Sequence, residues 1–262
     1  MQVASFDSYA ELYDEHFTYS PIGLLQREMV YSHLIPLLNK EKNVLELNCG
    51  TGYDAFEIAR QVNSILATDV SPKMIEQCRT KKREEKTANI DFEKKSIQSL
   101  EPELKNKNFI FSNFGGLNCI SPNDLNDLSI KCNLLLEKEA DLFFVIMGRK
   151  CIWERLYFTL KSRKKDANRR KLTQGVTAHN NDTEFKIWYY SPKEIQQVFG
   201  PNFKIQTLAG VGLFVPPSYL NPFFRNKKAL LSLFNGLDKV FCKFSWTADH
   251  ADHYILHLKK VS

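Results

Sequence analysis

Two carboxylates around a glycine turn are the residues whose types and spacing point to a bound ligand. Glu46-Leu47-Asn48-Cys49-Gly50-Thr51-Gly52 ends the apolar run NVLELN and opens a stretch of helical period, and Asp69 ends the next apolar run, SILATDV. Glycine in a strand-to-helix turn tolerates positive φ and lets the backbone approach a ligand closely. In an open α/β sheet, that turn lies at the carboxyl edge where nucleotide ligands sit. A tight connection needs glycine too, so the turn alone says little. The acids add to it. The G-x-G-x-x-G pattern of dinucleotide sites is absent, and Glu46 would repel a pyrophosphate while suiting a ligand that carries an ammonium or a sulfonium. Asp69 is placed to accept the two hydroxyls of a ribose.

The elements that must position these residues follow from the apolar pattern. Short β-branched runs alternate with longer segments of 3.6-residue period from Asn43 onward, which predicts a parallel sheet with helices on both faces. NVLELN, SILATDV, NIDFEKKS, NFIFSNF and ADLFFVIMG read as five successive strands. Ser71-Pro72 and Ser191-Pro192 read as helix starts, a capping hydroxyl followed by proline at the first helical position. Beyond Gly148 the rhythm breaks into a helix-like WERLYFTLKS, a basic run over 161–171 and a polar stretch with turn residues Asn180, Asn181 and Asp182. It resumes in SPKEIQQVF, FKIQTLAGVGLFV and a terminal strand HYILHLKK. The expectation is a single α/β domain over 1–262, doubly wound around a mostly parallel seven-stranded sheet. A helical cover would span 1–40, and lid insertions that bind the acceptor would span 149–190 and 213–248.

VLELNCGTGYD, LATDVSPKMI, DFEKKSIQSL and FIFSNFGGLNCI, in that order, resemble the first four motifs of the class I S-adenosylmethionine-dependent methyltransferases. The resemblance implies the Rossmann-like methyltransferase fold, with S-adenosylmethionine as cofactor. It places Glu46, Asn48, Cys49 and Gly50 around the methionine part, Asp69 on the ribose, and Val70 and Met74 beside the adenine. Ser96 and Ile97 match the adenine-contacting pair, and Asn113, Phe114 and Gly115 the segment under the sulfonium. Two positions depart from the pattern. Asn48 stands where the first glycine is usual, so it must accept the left-handed backbone that asparagine tolerates. Ser96 replaces a frequent aspartate and leaves the adenine amino group without a charged acceptor. The segment FDSYAELYDEHF…LLQREM resembles the cover of such enzymes, with Tyr13 closing on the cofactor and Arg27 pairing its carboxylate. The plainer reading is an amphipathic helix with packed tyrosines and a solvated arginine.

Methyl transfer from a sulfonium is an in-line displacement that depends mainly on alignment, and a general base helps when the acceptor is a hydroxyl or a protonated amine. Among His179, Tyr189, Tyr190, His250 and His253, the catalytic candidates are Tyr190, His250 and His179. Each equally suits an ordinary structural histidine or tyrosine. Phe214, Tyr219, Phe223, Phe224, Trp153, Tyr157 and Phe158 would either wall an apolar acceptor pocket or form the core of the lid.

Composition narrows the rest. The 262-residue chain is 43% hydrophobic with a formal charge of +6, enough for one core, and its basic residues gather in short runs. Its six cysteines form no Cys-x-x-Cys pair, so no metal site is expected and reduced thiols fit best. The amino terminus does not read as a signal peptide. Leu142 to Met147 is too short to span a bilayer, so a cytoplasmic protein that needs no membrane is expected. The expected partner is a small-molecule substrate, partly apolar or aromatic, methylated on O, N or C, and a homodimer is compatible. The basic 161–171 run offers a tRNA or protein methyltransferase as the alternative. It carries no interleaved aromatics, and Ser112-Asn113-Phe114-Gly115 lacks the Asn/Asp-Pro-Pro-aromatic form of base-amine methylation. Both argue against nucleic acid. A cofactor-binding fold turned interaction module is the third reading.

Overall fold

The computed structural model describes residues 13–180 and 183–261. Seven strands form one sheet: β1 Asn43–Leu47, β2 Ser64–Asp69, β3 Ile90–Lys94, β4 Phe109–Ser112, β5 Asp141–Met147, β8 Phe203–Val211 and β9 His253–Lys260, with β6 Val176–Asn180 and β7 Thr183–Ile187 standing apart as a two-stranded ribbon. The sheet order is β3-β2-β1-β4-β5-β9-β8. β1 to β5 run parallel, and β9 lies antiparallel between β5 and β8. The chain winds outward from β1 to β3, then returns to place β4 on the other side of β1. Between β1 and β4 the connections diverge, and a crevice opens at their carboxyl ends.

The longer helices are α1 Pro21–Leu34, α2 Tyr53–Ala59, α3 Pro72–Glu85, α4 Pro122–Leu135, α5 Ile152–Leu160, α6 Pro192–Phe199 and α7 Lys228–Phe241. Four of them, α1, α3, α4 and α6, begin at Ser-Pro: Ser20, Ser71, Ser121 and Ser191 each accept a backbone N–H from the first turn. Such caps contribute about 1 kcal/mol each. Alternation along the strands sends Val44, Phe109, Phe111, Phe143, Val145 and Ile255 into a core with α1, α2 and α3. Leu45, Leu47, Ile110, Phe144, Ile146 and Leu256 go to the other side, against α4 and α6. No helix among the described residues is long and apolar enough to cross a membrane.

A third, smaller core joins the segments beyond the sheet. Ile22, Val215, Leu220, Phe224 and Leu231 pack with Trp153, Tyr157 and Phe234. The Trp153 indole donates to Phe214 O at 2.9 Å, and its ring meets Phe224 and Phe234 at 5.9 and 5.8 Å.

The carboxyl end of the basic run turns inward. Arg170 is buried, and its guanidinium donates to Asp252 Oδ1 at 2.7 Å, Asp252 O at 2.8 Å and Glu154 Oε2 at 3.0 Å. Arg169 pairs with the same Glu154 at 2.8 and 3.0 Å. The end of the run is therefore neither a solvated face nor a phosphate grip. It is an internal tie from α5 to the start of β9, made because Glu154 and Asp252 are both buried and need a counter-charge.

Candidate functional site

The crevice between β1 and β4 widens into a cleft of about 520 Å³. Of the residues the sequence singled out for a cofactor, Tyr13, Asn48, Gly50, Asp69, Val70, Met74, Ser96, Ile97, Asn113, Phe114 and Gly115 line it. Arg27 and Cys49 lie beside it in an adjoining recess of about 30 Å³ that Tyr13, Asn48, Gly50 and Asp54 also border. Glu46 is buried behind the loop and lines neither space.

The loop after β1 turns through three left-handed residues, Asn48 at φ 57°, Gly50 at 55° and Gly52 at 82°. Asparagine is thus used where its short polar side chain tolerates that backbone. At Gly52 a Cβ would fall 2.9 Å from Cys78 Sγ and 3.1 Å from the Phe92 ring, which seats the loop directly on α3 and β3. At Gly116 a Cβ would fall 2.7 Å from Ser112 Oγ and 2.9 Å from Asn48 Cβ, so the turn after β4 presses equally close from the other side.

Asp69 holds the loop as well as facing the cleft. Gly50 N donates to its Oδ2 at 2.9 Å and Ser71 N to its Oδ1 at 2.8 Å. Asp14, in the short helical turn Asp14–Thr18, clasps the same loop: Thr51 Oγ1 donates to Asp14 Oδ1 at 2.6 Å, and Lys81 Nζ bridges Asp14 Oδ2 at 2.6 Å and Thr51 O at 3.0 Å. Tyr13 is carried over Gly50 by this clasp. The remainder of the expected helical cover, residues 1–12, lies outside the described residues.

Arg27 does not extend a free guanidinium toward the cleft. Its Nε donates to Asp54 Oδ1 at 2.8 Å, and the group lies over the rings of Tyr53 and Phe114 at 4.6 and 5.1 Å. Asp54 also accepts from Tyr31 Oη at 2.6 Å and Asn113 Nδ2 at 3.0 Å. This buried hub was not singled out from the sequence, where Asp54 reads as a first-turn acid of α2. The signal that could have revealed it is Arg27 and Tyr31 four positions apart on one face of α1. Glu46 Oε2 has no hydrogen-bond partner among the described residues. Burial, with Asp54 and Cys78 nearby, pushes this carboxyl well above its ordinary value.

The opposite wall comes from the ribbon and the turn after β4. Thr177, Glu184, Phe185, Lys186 and Trp188 line the cleft with Cys119 and Ile120. Where the sequence suggested only a polar, turn-rich stretch, β6 and β7 pair antiparallel, with Thr177 opposite Lys186 and Ala178 opposite Phe185. The buried Asn118 side chain anchors the ribbon. It donates to Met147 O at 3.1 Å and Trp188 O at 2.6 Å, and accepts from Met147 N at 2.8 Å.

None of the expected catalytic side chains that can be described lines the cleft. Tyr190 is buried in the core beneath it, its hydroxyl donating to Ile120 O at 2.6 Å. Burial raises its pKa and leaves it a structural donor. His250 lies beside Trp246, the ring centres 6.3 Å apart and the planes tilted by 56°, away from the lining. His179 lies in β6 opposite Glu184, and its side chain is outside the described residues. Tyr189 packs under Arg170, and His253 pairs with Asp252 at 3.2 Å behind Phe114. Phe214, Tyr219, Phe223 and Phe224 are likewise absent from the lining: Phe224 belongs to the smaller core, Phe214 packs against the larger one, and Tyr219 and Phe223 are exposed.

With this geometry in place, comparison with known proteins is specific. The model of the methyltransferase domain family matches residues 44–139, from β1 to the start of β5. No curated protein matches the chain. Among solved structures, an S-adenosylmethionine-dependent methyltransferase from Methanosarcina mazei is 17% identical over 88% of this chain and 98% of its own, with a TM-score of 0.60. One from Clostridium acetobutylicum is 12% identical over 98% and 99%, with a TM-score of 0.60. The complex of DhpI with SAH is 14% identical over 98% and 93%, again with a TM-score of 0.60. The matched domain and the sheet order agree: residues 44–139 match a methyltransferase domain, and the chain has the fold of the S-adenosylmethionine-dependent methyltransferases.

Proposed function

We propose that this enzyme transfers the methyl group of S-adenosylmethionine to a small, partly apolar or aromatic metabolite held between the glycine loop and the β6–β7 ribbon. The observation that carries the reading is the ribbon itself. It closes a cleft of about 520 Å³ with Phe185 and Trp188 opposite the loop, a size ordinary for small-molecule sites. The basic segment that would have favoured tRNA is partly spent on Glu154 and Asp252.

Within that reading, Asp69 receives the ribose hydroxyls, Val70, Met74, Ser96 and Ile97 hold the adenine, and Tyr13 covers the loop. Asn48, Cys49 and Gly50 surround the methionine part, with the Glu46 carboxyl acting on it from behind the loop, and Asn113, Phe114 and Gly115 lie under the sulfonium. The cofactor supplies an activated methyl group, and the chain's task is alignment and exclusion of water. Tyr13 stays a neutral donor because burial raises its pKa, and burial pushes the Cys119 thiol up to about 12. Neither serves as a base near neutrality. Where the acceptor must lose a proton, the Glu184 carboxylate is the group on the acceptor wall able to receive it.

The test pairs calorimetry with labelled transfer. S-adenosylhomocysteine should bind, and label from S-adenosylmethionine should enter the small-molecule fraction of a cell extract. Label recovered in tRNA or protein would overturn the small-molecule reading, and absence of cofactor binding would overturn the role given to the cleft.

A further inference from the structure

Helix α7 has two apolar faces and buries one. Leu231 and Phe234 turn into the smaller core. Leu230, Leu233, Val240 and Phe241 are exposed and recur at the spacing of a second helical stripe. Leu233 is 59% exposed and Val240 52%, and the stripe runs on into Phe244 and Trp246, the latter 53% exposed. At the other end, Phe223 is 63% exposed. Helix α5, which shares the smaller core through Trp153 and Tyr157, carries its own exposed row of Ile152, Leu156 and Leu160. Contiguous apolar surface of this kind marks an interaction site.

Charge selects the partner. From Asn221 to Trp246 the basic residues are Arg225, Lys227, Lys228, Lys239 and Lys243, and the acid is Asp238. Asp238 is buried, accepting from Phe214 N at 2.7 Å and Val215 N at 3.1 Å. Lys239 pairs with Glu28, and Lys227 lies 3.2 Å from the centre of the Phe223 ring. The exposed face therefore offers leucines and aromatics rimmed by cations, and its segment exposes no acid of its own. A two-fold contact between copies would set one cationic rim against the other. An anionic bilayer surface satisfies both parts, since apolar side chains enter the headgroup boundary while lysines meet acidic lipid. We propose that the α7 face, with Phe223, Phe244 and Trp246, docks this enzyme on anionic membrane surfaces.

The full-length protein should float with phosphatidylcholine vesicles containing phosphatidylserine, and much less with phosphatidylcholine alone. L233S/V240S should abolish flotation. K228Q/K243Q should weaken it roughly thirtyfold, about fivefold per lysine. These side chains lie outside the cleft, so unchanged S-adenosylhomocysteine binding in both variants verifies that they fold. Wild-type protein that ignores acidic vesicles, binds neutral ones equally well, or is indifferent to both variants would overturn the proposal. So would a dimer in sedimentation that L233S/V240S dissociates without any vesicle binding.

Discussion

Replacing Arg170 with methionine should destabilise the enzyme far more than any neighbouring change in the basic run. The substitution keeps an apolar chain of similar length but leaves Glu154 and Asp252, 2% and 3% exposed, without their shared cation. Removing one partner of a buried ion pair costs about 3–5 kcal/mol, because the remaining charge stays buried. For a chain of this size each kcal/mol lowers Tm by about 2–4 °C, so a fall of roughly 6–20 °C is expected. Arg169→Met is the comparison. Its side chain is 33% exposed, and a screened pair of that kind is worth about 0–1 kcal/mol. The linkage has a sign as well. Burial raises the Asp252 carboxyl, but His253 and Arg170 hold it well below its ordinary 3.8. Its contribution is present above that pH and lost as the pH falls through the lowered folded value. Calorimetric unfolding of both variants without ligand is the assay. An Arg170→Met protein that melts within about 2 °C of wild type, or no lower than Arg169→Met, would refute the network as a stabilising tie.

Asp69→Ala should weaken S-adenosylhomocysteine binding by about 1.5–3 kcal/mol, the range for hydrogen bonds to a charged group; native circular dichroism with unchanged affinity would remove Asp69 from the ribose. Because burial holds Glu46 high, and its ionised form is the one that attracts a cation, cofactor affinity should rise with pH through that raised value. Glu46→Gln should flatten the profile, and a flat wild-type titration would sink the idea. Tyr190→Phe should lose about 1 kcal/mol of stability with turnover unchanged once the acceptor is known; a large loss of turnover would restore it to the reaction. Limited trypsin digestion should cut after Lys161, Lys164 or Lys165 well before Arg169 or Arg170, as mass spectrometry of the fragments would reveal.

What the sequence made legible follows from how local each signal was. Strands β1, β4 and β5 are short apolar runs buried on both faces, and each of the Ser-Pro starts is written in adjacent residues. The same holds for the cleft's cofactor half, where Asn48, Gly50 and Asp69 lie within or beside one motif. The ribbon was obscure because VTAHN and TEFKI alternate polar and apolar residues too weakly to separate from a loop, and its anchor, Asn118, lies far upstream. Arg170 was hidden for a related reason. Six other cations in the 161–171 run suggest solvent, and of the partners that bury it, Glu154 and Asp252, the second lies 82 residues downstream. Arg27 looked free until it paired with Asp54, which Tyr31 and Asn113 also hold.

The glycine loop has a thermodynamic consequence for recognition. Gly50 donates to Asp69 and accepts from Cys78 Sγ at 3.2 Å, while Thr51 is held by Asp14 and Lys81. Gly50 is thus fixed through its own N–H and carbonyl, and Thr51 through its hydroxyl and carbonyl, before any ligand arrives. Ordering a free residue costs about 1–2 kcal/mol, and here that entropy is lost on folding instead of being subtracted from affinity. Hydrogen exchange at the Gly50 amide, which donates to Asp69, should therefore be slow in the ligand-free enzyme and change little on S-adenosylhomocysteine binding. Marked slowing on binding would mean that the loop is organised by its ligand.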